Sequence, residues 1–400
     1  MTAKPLAGIR VLDLSRVLAG PWCTQLLADL GAEVVKIEKP GAGDDTRHWG
    51  PPWHELGGER VAAYFLAANR GKQSAAIDFA TEEGAQLVRR LAEDADIVVE
   101  NFKVGGLSQF GLDAASLHSI NPRLIIASIT GFGQDGPYAG RAGYDYIIQG
   151  MGGLMSITGH PDDEPGGGPM RVGVAVADLF TGMYTAVAIV SALYHREKRG
   201  EGAHIDMALF DTQLAMLANQ ASNALVSGKD PPRQGNTHPN IVPYQPFDAA
   251  DQPIIIAVGN DRQFARLADI CDHPEWESDE RFATNAARVE NRETIVAAVA
   301  DCIVQKPAQH WLEKLESAGV PAGPINSITQ ALSDLQAQHR RMVRILAGTP
   351  VVGSPVRMNG ERADSDLPPP ILGEHTSEIL AQIGISPAEL KRFRDEGVIG

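Results

Sequence analysis

Cysteine is scarce in this 400-residue chain: Cys23, Cys271 and Cys302 are too few and too scattered for a disulfide framework or a CxxC metal site. The eleven histidines form no HExxH and no tight cluster, so no bound metal is expected. Positive charge is also short, with 35 Lys and Arg against 50 Asp and Glu for a formal net charge of -15. That balance disfavours a nucleic-acid partner, which needs a basic face to release counterions, but leaves room for a polyanionic small ligand held by a few local cations. The start, MTAKPLAGIRVLDL, lacks a cationic head followed by an apolar run, and no 18-residue stretch is free of Gly and polar side chains. Neither a signal peptide nor a membrane span is therefore expected, and the expectation is a soluble cytoplasmic protein. No internal repeat is visible.

What is present is a globular composition, 44% hydrophobic and 21% charged, with length for two domains or one large one. From Arg10 the chain reads strand RVLDL, loop SRVLAG, helix PWCTQLLADLG and strand EVVKIE, a βαβ unit with Gly31 at the helix C-cap. Helix GAQLVRRLAEDA, strand DIVVEN, helix AASLHSIN and strand RLIIASIT repeat the alternation, which predicts a parallel sheet with helices on both faces. A further strand, HIDMALF, leads into a helix beginning near Asp211. Residues 228 to 243, rich in Pro, Gly and Asn, read as a linker, and beyond them QPIIIAVG and several helices form a smaller α+β unit. The expected division is 1–215 for the first part of a large domain, 216–243 for a linker, 244–330 for the small domain, and 331–400 for a return linker and completion of the large domain.

Two local features carry chemistry. Gly131–Gly136, GFGQDG, matches GxGxxG after a strand, but no helix opens behind it, and a nicotinamide site is rejected; the glycines read as a loop that lets backbone approach a ligand closely. In RVGVAVADLFTGMYTAVAIVSALY the only charge after Arg171 is Asp178. From the residues alone it reads as the cap of a helix running from Leu179 to Gly200.

Several segments together resemble the class III CoA-transferases, the carnitine dehydratase and bile-acid-inducible family that includes formyl-CoA transferase: PLAGIRVLDLSRVLAGP, LADLGAEVVKIEKPGAGDDTR, NRGKQS, VVENFKVGGL, AGYDYIIQGMGGLMSITG, VGVAVADLFTGM and LGEHTSEIL. They span nearly the whole chain in the family's order. WGPPW, HPNIVPYQPF and GVPAGPIN are most similar to members that move CoA between dicarboxylic acids, such as succinate with glutarate or hydroxymethylglutarate. The resemblance implies a Rossmann-like α/β large domain built from both chain ends, an inserted smaller α+β domain, and an interlocked homodimer. It also implies a CoA-transferase that needs no permanently bound cofactor, with CoA thioesters and carboxylic acids as substrates and succinyl-CoA as the expected donor.

By the same resemblance Asp178 is the nucleophile, forming an aspartyl anhydride and then an aspartyl-CoA thioester, with Tyr144 and Asp145 bordering the reacting carbonyl. Arg16, Val17 and Ala19 in the first βα loop, Lys39, Lys72, Asn101, Phe102 and Lys103 are the expected CoA shell, although any one basic residue reads equally as a solvated surface group. Trp49 and Tyr64 are expected to wall the acyl pocket, and Gly259 to sit in a loop over it. A bidentate Arg is the natural clamp for a dicarboxylate's free end, which makes Arg47 and Arg171 candidates, with His238 a third. Lys103 and Val104 depart from the familiar NFRPG pattern; Gln109 and Leu18 replace an arginine and a glutamine of formyl-CoA transferase, which argues against formyl and oxalyl substrates. The competing reading is an α-methylacyl-CoA racemase, whose loop commonly carries His before the aspartate; here Tyr144, of a residue type with an ordinary pKa of about 10, is a poor base. A non-catalytic CoA-binding protein is a third reading, against which the retained Asp178 argues.

Overall fold

The computed structural model describes residues 4–400. These divide into two compact units: one holds the chain up to Leu154, Val172–Lys229 and Leu335–Gly400, the other Met155–Arg171 and Asp230–Asp334. In the first, β1 (Arg10–Asp13), α1 (Ala19–Asp29) and β2 (Glu33–Glu38) form the strand–helix–strand unit that the hydrophobic pattern predicts. A hairpin of β3 (Trp53–Leu56) and β4 (Glu59–Ala62) leads through α2 (Ala63–Ala68) to β5 (Lys72–Ala76). Then come α3 (Glu82–Glu93), β6 (Ile97–Glu100), α4 (Ala114–Ile120) and β7 (Ile125–Thr130). After an irregular loop follow α5 (Asp145–Met151), the short α6 (Leu154–Ile157), which groups with the second unit from Met155 on, and then α7 (Val176–Arg199), β8 (Ala203–Ala208), α8 (Leu209–Met216) and α9 (Ala218–Ser227).

Six strands pair in the order β5-β2-β1-β6-β7-β8, every pair parallel. Strands such as IVVE and IIASIT are apolar on both sides because both sides are covered. On one face Val11, Val34, Ile97, Val99 and Ile125 pack with Cys23 and Leu27 of α1 and Ala186 and Ile189 of α7. On the other, Leu12, Val98 and Ile126 pack with Leu87 and Val88 of α3, Leu117 of α4, and Ile379, Leu380 and Phe393 from the helices Thr376–Gln382 and Pro387–Asp395. The sheet order reverses at β1: β2 and β5 lie to one side, β6, β7 and β8 to the other. The loops after β1 and β6 therefore diverge at the strands' C-terminal ends, the position where open parallel sheets hold ligands.

The second unit has its own core. β9 (Tyr244–Asp248), β10 (Pro253–Ala257) and β11 (Ala322–Pro324) form an antiparallel sheet in the order β11-β10-β9. Its Phe247, Ile254 and Ile256 pack with Phe264, Leu267, Ile295, Val299, Trp311 and Leu315 from three helices. Trp311 donates its indole N–H to the Ile303 carbonyl at 2.7 Å, so its ring is buried without leaving a polar group unpaired.

Three expectations change. β5 was not foreseen, nor was the β3–β4 hairpin: KQSAA is short and mostly small or polar, and becomes a strand only because β2 offers it an edge. The segment from 218 to 227 is helix and not linker; the irregular stretch starts after Gly228, whose φ of 67° ends α9. Residues 155–171, assigned above to the large domain, group with the second unit. Within GFGQDG, a Cβ on Gly131 would stand 2.4 Å from the Gly143 Cα, so the loop touches itself backbone to backbone there, whereas Gly136 has nothing within 4 Å.

Candidate active site

The loop between β1 and α1 is held at successive backbone groups by buried side chains and by Asn101. Asp13, fully buried at the end of β1, accepts from the Ser15 N–H at 3.0 Å, from the Ser15 hydroxyl at 2.5 Å and from the Thr24 hydroxyl at 2.6 Å. Lys36 of β2, also fully buried, donates to the Ser15 carbonyl at 2.8 Å and pairs with Asp44 at 2.9 Å. Asp44 in turn accepts the Val17 N–H at 3.2 Å. Asn101, just past β6, accepts the Arg16 N–H at 2.8 Å and donates to the Arg16 carbonyl at 2.7 Å. Val17 is thereby kept at φ 70°, a left-handed conformation costly for a β-branched residue. Burial pushes the Asp44 carboxyl up, but Lys36 and the Thr46 amide outweigh it and hold it at about 2. The clamp is thus charged throughout the neutral range.

Asp178 lies in the first turn of α7, whose N-cap position, Ala175, has no capping side chain. The cap comes from α5: one Asp145 oxygen accepts the Ala177 N–H at 2.8 Å and the Asp178 N–H at 3.4 Å, and the other accepts from the Gln149 amide at 2.7 Å. Asp178, read above as the cap of its own helix, is relieved of that role, and its half-buried carboxyl makes no hydrogen bond among the described residues. Burial, and after it the Asp145 charge, push Asp178 up to about 7 from its ordinary 3.8. The helix N-terminus favours the anion by about 0.3–1 kcal/mol at exposed sites, too little to reverse that. An unencumbered carboxylate of raised basicity is a stronger nucleophile than an ordinary one.

Gly182, one turn on, explains how α7 reaches α1. A Cβ there would stand 2.6 Å from the Ala19 carbonyl oxygen, so only glycine lets α7 lie against the start of α1. Tyr64 of α2 joins the group: its hydroxyl is held above its ordinary pKa by burial and by the charges of Asp178, Asp145 and Asp44. Trp49 meets Tyr64 edge to face at 5.3 Å. Tyr144 precedes α5 with its side chain exposed. Asp145 is buried with both oxygens occupied as acceptors, which makes it a brace between α5 and the start of α7.

The cations separate into two kinds. Lys39 and Lys103 are exposed, and Arg16 is half-exposed, with its guanidinium 5.3 Å from the Phe102 ring and 3.1 Å from Asp45. Lys72, expected in the CoA shell, is instead buried: its ammonium donates to Asp13 at 3.0 Å, Pro21 O at 3.0 Å and Asn69 Oδ1 at 2.9 Å, all three donors spent. Arg47, expected as a carboxylate clamp, is likewise committed; its fork grips Glu38 through two 2.8 Å bonds, and its plane stacks 3.7 Å from the Phe65 ring centre. Of the remaining candidates, Arg171, His238 and Gly259 belong to the second unit. Arg171 is exposed, His238 packs on Tyr244 at 5.2 Å and accepts the Asn240 N–H at 3.1 Å, and Gly259 donates its N–H to Gln263 at 2.7 Å.

A CoA-transferase family III profile matches residues 6–376. The chain belongs to CoA-transferase family III. It is 52% identical over 386 residues to the succinate–glutarate CoA-transferase of Agrobacterium fabrum, covering 95% of this chain and 96% of that one. It is 41% identical over 385 residues to the succinyl-CoA:glutarate CoA-transferase of Homo sapiens, covering 95% and 86%. A crystal structure of a CAIB/BAIF family protein from Brucella suis superimposes with a TM-score of 0.86 at 51% identity, covering 96% and 100%. The enzyme is a CoA-transferase, and the loops around β1 and β6 sit where a parallel sheet of this kind presents ligands.

Sequence reasoning passed over Asp13, Lys36, Glu38, Asp44 and Gln149. For three of them a signal existed: Asp13, Lys36 and Glu38 interrupt apolar strands of a sheet covered on both faces, where an ionised side chain is tolerated only with a partner.

Proposed function

We propose that this enzyme transfers CoA from succinyl-CoA to a dicarboxylate of the glutarate class, with Asp178 as the covalent nucleophile. The observation that carries the nucleophile is the division of labour between two carboxylates: Asp145 caps α7, and Asp178 is left basic and unbonded one turn from α1. The donor and acceptor are supported by the activities of the relatives from Agrobacterium fabrum and Homo sapiens.

In this reading an Asp178 oxygen attacks the thioester carbonyl, the C–S bond breaks, and CoA thiolate leaves an aspartyl–succinyl anhydride. The thiolate attacks the aspartyl carbonyl and expels succinate. The incoming dicarboxylate attacks the carbonyl of the aspartyl-CoA thioester, whose C–S bond breaks to release CoA thiolate and leave a second anhydride; the thiolate then attacks the new acyl carbonyl, forming the product acyl-CoA and freeing the Asp178 carboxylate. Each step exchanges one acyl bond for another with no net proton, so the energy of the thioester is conserved. Arg16, Val17, Ala19, Lys39, Asn101, Phe102 and Lys103 hold CoA, with Lys39 and Lys103 exposed for its phosphates. Trp49 and Tyr64, which meet edge to face at 5.3 Å, wall the acyl group.

A homodimer, interlocked as in the family, belongs to the same reading. Phe180, Met183, Tyr184, Val187, Val190 and Tyr194 form an exposed apolar stripe along α7 at helical spacing, which a second copy would cover. α7 is also long and apolar enough to cross a membrane by length and composition alone, but its other face packs in the sheet core. The three buried free thiols fit a cytoplasmic location. The test is rapid-quench peptide mass spectrometry with succinyl-CoA, followed by an acceptor panel. The expected result is a CoA adduct on the Asp178 peptide, absent in Asp178→Ala, and transfer to glutarate; activity confined to monocarboxylic acids would refute the substrate assignment. Tagged and untagged dimers should fail to exchange without unfolding.

A further inference from the structure

Gln149 is fully buried, and its amide uses its donors and its acceptor on three different groups. Its Nε2 donates to Asp145 Oδ2 at 2.7 Å and approaches the Val174 carbonyl at 3.4 Å, while its Oε1 accepts the Val172 N–H at 2.9 Å. Asp145 lies one turn before it on α5; Val172 and Val174 belong to the segment that enters α7. The other oxygen of Asp145 holds the Ala177 and Asp178 amides. One neutral side chain thus ties together the brace of the α7 N-terminus and the chain leading into it. The pattern demands a primary amide: a carboxylate cannot donate to Asp145, and an aliphatic side chain can neither donate nor accept.

We infer that Gln149 is a positioning residue for CoA transfer, which fixes the Asp145 carboxylate as the cap of α7 and thereby sets where Asp178 stands for its attack. The inference rests on Asp178 being the nucleophile. Without the amide, Asp145 can turn away from the Ala177 and Asp178 N–H groups, and the first turn of α7 loses its cap and its register against α1. The charged or titratable groups around this point are Asp145 on α5, Asp178 on α7 and Tyr64 on α2.

The test pairs Gln149→Leu, which keeps volume and removes every hydrogen bond, with Gln149→Glu. Leaving the buried Asp145 oxygen without its donor is expected to lower kcat, and the rate of CoA-adduct formation on Asp178, roughly 10- to 100-fold in Gln149→Leu, with KM for succinyl-CoA changed less than about twofold. In Gln149→Glu the new carboxyl can donate to Asp145 only while protonated. Its activity relative to wild type should therefore be highest near pH 6 and fall as pH rises, a profile that loss of packing alone does not produce. If wild type forms the Asp178 adduct and Gln149→Leu forms it equally fast, the inference is wrong and the nucleophile stands. If wild type forms no adduct on Asp178, the nucleophile assignment fails and takes the inference with it. Should Gln149→Leu not fold, a Gln149→Glu activity ratio that is flat with pH overturns the inference.

Discussion

Replacing Asp178 with Asn should abolish transfer and yet make the protein more stable, by an amount that depends on pH. The carboxyl titrates at about 7 in the fold and near 3.8 when unfolded, because folding buries it and sets it beside Asp145. At about 1.4 kcal/mol for each pH unit between those values, the ionised group costs the fold up to about 4 kcal/mol. The group is half-buried, so solvent screening brings the expectation to roughly 1–3 kcal/mol. Between pH 4 and 7 the folded state binds the extra proton, so wild-type stability falls as pH rises through that window and has lost its full share above 7. The neutral amide escapes this loss. Denaturant midpoints of wild type and Asp178→Asn at pH 4, 6 and 8 should nearly coincide at pH 4 and separate progressively, with the variant more stable at pH 8. A gain equal at pH 4 and pH 8 would show that charge is not its cause. A variant less stable at pH 8 would mean that the Asp178 carboxylate makes a favourable contact, contrary to the free carboxyl described above.

Gly182→Ala should displace α7 from α1, since its Cβ would meet a backbone oxygen at 2.6 Å that cannot rotate away; kcat is expected to fall more than tenfold while far-UV circular dichroism is kept. Lys72→Met strands the buried Asp13 charge and should cost about 3–5 kcal/mol in denaturant melts, whereas Lys103→Ala should leave stability within about 0.5 kcal/mol and raise KM for acyl-CoA, more so at low salt. Val17→Gly relieves a φ of 70° and should stabilise the fold by about 1 kcal/mol net of the glycine's chain entropy, while raising KM as the loop loosens.

The parallel sheet was legible because its evidence is local: VLDL, VVKIE, IVVE and IIASIT are short apolar runs separated by amphipathic helices, and that alternation survives any tertiary detail. The site was legible only down to the positions its motifs share with the family. Asp178 looked like a helix cap because every rule for caps reads adjacent residues, while the side chain that caps α7 comes from Asp145, 33 positions before Asp178. Lys72 looked like a phosphate ligand because its strand is too polar to announce burial, and its partner Asp13 is 59 positions away. Arg47 has the same history with Glu38 and Phe65. Pairing between charges brought together by the sheet has no periodicity, so composition and spacing alone do not reveal it.

The sheet begins at Arg10, but one of its faces is sealed by Ile379, Leu380, Phe393 and Ile399, and the last amide, Gly400 N–H, bonds to Ala76 O at 3.0 Å. During synthesis the ribosome therefore delivers six strands with that face covered only in part, by α3 and α4, then residues 230–334 of the second unit, before the residues that complete the cover emerge. The core of the second unit lies within residues already synthesised at that point, whereas the core of the first is completed only by the helices from Thr376 on.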